Sequence, residues 1–334
     1  MSISKHLKRT VMALGILLGI FFVLLAVLLI WFCAAYYPDF DGIAKETFNI
    51  QGLEDGISPQ GLCTLPKGGD YDFAMSGYMV NKSPSRVYFI NSETNEAKYI
   101  TLTREGEATN SHFGGVTATK KYLFVADGTK IVRVPLEEAL AAKDGEAVEI
   151  CDDELETGIN AAFCFYQEDE ELLFVGEFYR WQNYKTDESH HLIKDGETNY
   201  AFVYAYEVDD NAPGGVKSET PKFILSVRGL VQGIAVTKNR IYLSCSYGLP
   251  DSHLYVYPNP IGGSEDATID DVPLYRLDKS NLETELVMPC MSEEICVKDG
   301  KLYILFESMC DKYKYFVRVQ MKKVIAIPLE LIGA

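Results

Sequence analysis

One arrangement of short apolar segments recurs five times along this 334-residue chain, always in the same order. First segments read QGLCTL from Gln60, GGVTAT from Gly114, NAAFCF from Asn160, QGIAVT from Gln232 and EEICVK from Glu293. Second segments start at Tyr71, Tyr122, Leu172, Ile241 and Leu302, and third segments at Ser85, Thr129, Tyr200, Ser252 and Lys322. They are rich in Val, Ile, Phe and Tyr, are bounded by Gly, Asn, Asp and Pro, and leave little room for long amphipathic helices, so they read as strands. Fourth strands are expected from Glu96, Glu146 and Pro221 and between Val272 and Val287. The fifth unit reaches Ala334 after its third strand, and the segment Glu46 to Gln51 is expected to supply the missing one, which would hide two sheet edges at once.

In this strand plan the chain from Glu46 onward resembles a β-propeller, and the resemblance implies an all-β ring of five four-stranded blades. Successive first strands begin 54, 46, 72 and 61 residues apart. A sixth blade concealed in the 72-residue unit is the alternative count, and a two-sheet sandwich is the competing fold. No WD, Kelch or Asp-box signature repeats, so the resemblance implies architecture and no activity.

Ahead of the repeats, no charged side chain occurs between Arg9 and Asp39, and residues 11–37 are long enough and apolar enough to cross a bilayer as a helix. The run exceeds an ordinary signal-peptide core, and Trp31, Tyr36 and Tyr37 fit the aromatic belt of a retained signal-anchor. Lys5, Lys8 and Arg9 precede the run and Asp39 and Asp41 follow it, which places residues 1–10 in the cytoplasm and the rest outside the plasma membrane. The expected organisation is thus a cytoplasmic terminus (1–10), an anchor (11–37), a linker (38–45) and an extracellular propeller (46–334). Gly15 and Gly19 form a GxxxG pair able to support weak homodimerisation.

The whole chain carries 31 Lys plus Arg against 48 Asp plus Glu, a net charge of −17, so an anionic nucleic-acid partner is excluded on charge.

In a propeller, the loops entering the innermost strands and those joining second to third strands emerge on one face around the axis. Aligning the repeats there collects Gln60, His112, Asn160, Gln232 and Glu293, with Ser76, Asp127, Glu177, Ser246 and Glu307 at the second-strand ends. Amides, carboxylates and an imidazole suit the recognition of a polar ligand, either glycan-like or a protein partner, without chemistry. A glycoside hydrolase or lyase is the alternative, with Asp127, Glu177, Glu293, Glu294 and Glu307 supplying an acid and a base and His112 a further base. No cofactor is expected; a divalent cation such as calcium is the exception that the oxygen ligands would allow. Seven cysteines follow the anchor, and Cys290 with Cys310 is the pair placed for a disulfide in an oxidising exterior.

Overall fold

A computed structural model describes residues 5–33 and 37–333, which divide into two units meeting between Pro38 and Asp39. In the first unit, Lys5–Cys33 forms a single helix whose apolar stretch Leu7–Trp31 has a mean hydropathy of 3.2. By length and composition this helix is able to cross a membrane or to serve as a signal sequence. A methyl group added to Gly15 or Gly19 would meet nothing within 4 Å, so that face is open. Tyr36 lies outside the described residues.

The second unit is a five-bladed β-propeller. Blade 1 consists of Ile57–Thr64, Phe73–Met79, Arg86–Ile90 and Ala97–Arg104, from the axis outward, and blade 2 of Val116–Ala118, Tyr122–Asp127, Lys130–Pro135 and Leu155–Glu156. Blade 3 contains Ala161–Gln167, Leu172–Glu177, Ala201–Glu207 and Phe223–Val227; blade 4 contains Val231–Val236, Arg240–Cys245, Ser252–Pro258 and Thr284–Met288. Blade 5 joins the two ends of the repeat region: Ser292–Lys298, Lys301–Phe306 and Lys323–Pro328 are completed by Lys45–Asn49, which pairs antiparallel with the third strand. Close by, Phe40 is buried with its ring 6.4 Å from that of Phe306.

Alternation along each strand sends apolar side chains toward both neighbouring blades, so the core lies between blades. Val87, Phe89, Leu123 and Val134 fill the space between blades 1 and 2; Phe174, Leu225, Ile234 and Leu243 do so between blades 3 and 4. Phe48 and Phe73, with ring centroids 4.6 Å apart, belong to the cluster that packs the closing strand and blade 5 against blade 1.

Two fourth-strand expectations need correction. Glu146–Glu149 runs parallel to the outer strand of blade 1, and the fourth strand of blade 2 is the short Leu155–Glu156. Val272–Arg276 likewise returns to blade 3 and pairs parallel with Phe223–Val227, leaving Thr284–Met288 to complete blade 4. In both cases the chain doubles back to cover the exposed edge of the preceding blade, a pairing that only the assembled ring makes available. The 72-residue unit holds no sixth blade; its extra length forms the hairpin Leu192–Lys194 and Glu197–Asn199, inserted between the second and third strands of blade 3.

Candidate functional site

Every innermost strand bulges as it passes the axis. The register slips between Pro59 and Gly61, Ala161 and Phe163, Val231 and Gly233, and Ser292 and Ile295. In blade 2, Gly114 and Gly115 together face Ala126. The ladder beyond each bulge aligns Gly61, Gly115, Phe163, Gly233 and Glu294 as one column around the axis. The glycines are required by close approach. A Cβ on Gly115 would stand 2.5 Å from the Cys164 amide nitrogen and 2.8 Å from a Glu294 carboxylate oxygen; one on Gly233 would stand 2.6 Å from the Glu294 Cα. Space vacated by the missing side chains is taken by Glu294.

The Glu294 carboxylate is almost wholly buried and accepts three backbone hydrogen bonds from three other blades. Oε2 receives Leu62 N–H at 2.8 Å and Val116 N–H at 3.0 Å, and Oε1 receives Cys164 N–H at 3.1 Å. Burial pushes this carboxyl well up, and the three converging donors pull against it. An innermost strand has no neighbouring strand on its axis side, so its inward-pointing amides lack a ladder partner, and one carboxylate satisfies three of them. Glu294 therefore closes the channel and ties four blades' inner strands together, since its own strand belongs to blade 5.

On the face anticipated from the repeats, Glu293 and Glu307 come within hydrogen-bonding reach of each other, both buried. Glu307 Oε2 accepts from Ser58 Oγ at 2.8 Å and from Gln60 Nε2 at 3.2 Å, while Glu293 Oε1 accepts from Gln232 Nε2 at 3.3 Å. Burial first, and then the neighbouring Glu307 charge, hold the Glu293 carboxyl well above the usual range; burial also raises Glu307, opposed by Ser58 and by the Lys312 charge. Two carboxyls in contact share a proton rather than ionise together. His112, an exposed loop residue, lies tilted over Tyr78 with ring centroids 4.3 Å apart, and packing of that ring face, followed by the Lys312 charge, lowers its imidazole pKa.

Gln60, Gln232, Glu293 and Glu307 are thus brought together, and His112 sits above them through Tyr78 and Lys312. The other predicted residues go elsewhere. Asn160 is exposed, because the bulge makes Ala162 the true equivalent of Gln60. Asp127 pairs with Arg104 at 3.6 Å. Glu177 accepts from Phe202 N–H at 2.9 Å and meets His190 Nδ1 at 2.8 Å beneath the blade 3 insertion. Ser246 accepts from Ser252, and Ser76 donates to the Phe113 carbonyl. The expected Cys290–Cys310 disulfide is not formed: both are buried free thiols, Cys290 packing with Met291 and Val317 while Cys310 Sγ lies 3.7 Å from Ser58 Oγ. Among the described residues, no group of three or more His, Cys, Asp or Glu is placed to hold a metal ion.

Two features of this region were missed in the repeat alignment. The recurrence of glycine at 61, 115 and 233, with a carboxylate at 294 in the same column, was the available signal for the hub. At the opposite end of the axis, where the innermost strands finish, there is a cavity of ≈ 610 Å³ lined by residues of blades 1, 2, 3 and 5.

No family model matches the sequence, and no characterised protein matches it by sequence. Among solved structures, the tail fiber of Staphylococcus aureus phage P68 is similar over 90% of this chain and 55% of its own, at 12% identity and a TM-score of 0.41. Kluyveromyces lactis Hsv2 is similar over 75% of this chain and 60% of its own, at 9% identity and a TM-score of 0.33. The chain therefore spans little more than half the length of these structures, and at such identities the likeness concerns the fold alone.

Proposed function

We propose that this chain is a membrane-anchored binding propeller that holds a protein partner on the face where the second-to-third-strand loops emerge. One observation carries the reading. Among the described residues, ten large apolar side chains are exposed beyond the N-terminal helix: Val80, Trp181, Tyr184, Ile193, Leu230, Leu249, Tyr315 and Phe316 all lie in the connections of that face, Val287 stands on the outer strand of blade 4 close to it, and Leu331 is at the opposite end. Trp181, Tyr315 and Phe316 are 69%, 76% and 61% exposed, and Arg180 stacks 4.0 Å over Tyr247 beside Tyr184. Exposed aromatic groups interleaved with Arg are the composition of interface hot spots. Left-handed backbone at Phe113, Leu230 and Met291, in the loops entering blades 2, 4 and 5, supports the same face, because such strain concentrates at functional surfaces.

The polar centre then serves as a rigid base for the surrounding loops. A hydrolase would need two carboxyls about 5 Å or more apart with substrate between them, and Glu293 and Glu307 touch instead. Anchoring by the helix, with the propeller outside the plasma membrane, rests on the positive-inside pattern of Lys5, Lys8 and Arg9.

The test is photo-crosslinking of the full-length protein in its membrane. Benzoylphenylalanine at 181 or 316 is expected to give a discrete protein adduct, and the same group at 331, exposed at the opposite end, none. Equal labelling at all three positions, or none at 181 and 316, overturns the reading.

A further inference from the structure

At the other end of the axis, beyond the Glu294 plug, the ≈ 610 Å³ cavity has a volume typical of small-ligand sites, roughly 300–1,000 Å³. Its walls are not uniform. On the side of blades 5 and 1, Lys298 lines the cavity already neutralised by Asp72, and its ammonium lies 4.7 Å over the Phe73 ring. On the side of blades 2 and 3, Lys120 is matched by Glu168 at 3.4 Å. Glu171 and Asp210 also line that side, and among the described residues neither makes an ion pair; Asp210 Oδ1 only accepts from the Thr119 hydroxyl at 3.0 Å. Between them stands half-buried Tyr166, its hydroxyl pushed up to about 12 by burial and then by the charges of Glu171, Asp210 and Glu168. Half-buried Phe165 adds apolar wall.

We propose that this cavity binds a small organic ammonium, its cationic head held by Glu171, Asp210 and the ring of Tyr166, its carbon chain lying along Phe165 toward the axis. A metal ion fits less well: the described carboxylates are not grouped closely enough to replace its water shell, whereas an ammonium with its charge spread over several N–H donors bridges groups that stand further apart. Burial of the head against an aromatic wall adds cation–π attraction, which strengthens as water is excluded. This site is independent of the partner-binding face, which lies at the opposite end of the channel.

The probe is butylammonium, with 1-butanol as its neutral counterpart, titrated into the full-length protein in detergent micelles at low salt and followed by calorimetry. Butylammonium is expected to bind at one site per chain and butanol not at all. Glu171→Gln combined with Asp210→Asn is expected to weaken butylammonium at least about tenfold, with an unchanged melting temperature showing that the variant is folded. Glu137→Gln with Glu138→Gln, on the outer helix Leu136–Ala141, is expected to leave binding unchanged. No binding of butylammonium, binding equal in the cavity variant and the parent, or multiple weak sites that both variants reduce alike would each overturn the proposal.

Discussion

The two ends of the propeller axis are built from consecutive positions of the same five strands and yet differ completely. Toward the loop-rich face, Ser58, Gln60, Gln232, Glu293 and Glu307 satisfy one another and exclude water. Toward the far face, the strand ends part around an open cavity. Glu294 stands at the boundary. A polar residue near a propeller axis is a candidate for binding only where its hydrogen-bonding capacity is unspent. Glu293 and Glu307 have spent theirs on the protein; Glu171 and Asp210 retain more of it.

Substitution of the boundary residue should disturb this arrangement most. Glu294→Ala leaves the amides of Leu62, Val116 and Cys164 buried without an acceptor. Each such orphan costs about 1–3 kcal/mol, so chemical denaturation is expected to show a loss of at least about 3 kcal/mol. Retention of parental stability would mean that water replaces the carboxylate and that the axis is open. A smaller loss, about 1–3 kcal/mol, is expected for Gly115→Ala, whose new methyl group must displace the Cys164 backbone or the Glu294 carboxylate. The equivalent change at Gly128, where nothing lies within 4 Å of the added atom, tests left-handed backbone strain without the clash.

At the sealed end, pH is expected to change stability as a slope rather than a step. Burial raises both Glu293 and Glu307 in the folded state, so the fold holds protons that the unfolded chain releases. The stability contributed by the pair is therefore full below the ordinary carboxyl value of 4.5 and drains away as pH rises through the higher folded values. Glu294 contributes in the same direction, while Lys312 opposes through Glu307. Denaturation midpoints measured from about pH 5 to about pH 8 should fall in the parent and fall less in Glu293→Gln, whose amide mimics the protonated acid and keeps an acceptor for Gln232. Parallel curves would show that the two carboxyls do not share a proton.

Much of the ring was legible from the strand order alone, because each blade repeats the same apolar alternation. The returns of Glu146–Glu149 and Val272–Arg276 to earlier blades were not, since a parallel edge pairing leaves no local pattern. Within the site, Gln60, Gln232 and Glu293 aligned correctly because their strands bulge at matching places, whereas Glu307 stands one ladder position beyond the equivalents of Asp127 and Glu177 and two beyond that of Ser76. Asn160 did not, because Ala161 and Ala162 carry no mark that shows which of them is the extra residue. Glu294 appeared as one more carboxylate; its place in a column of glycines, which only the bulges reveal, decides its role.

The most direct measurement is amide hydrogen exchange at Leu62, Val116 and Cys164 in the full-length protein. Sealed against Glu294, these three amides should exchange in the slowest class, together with the central strands. Rapid exchange there, while the flanking strand amides remain protected, would reveal a water-filled bore and contradict the closed hub.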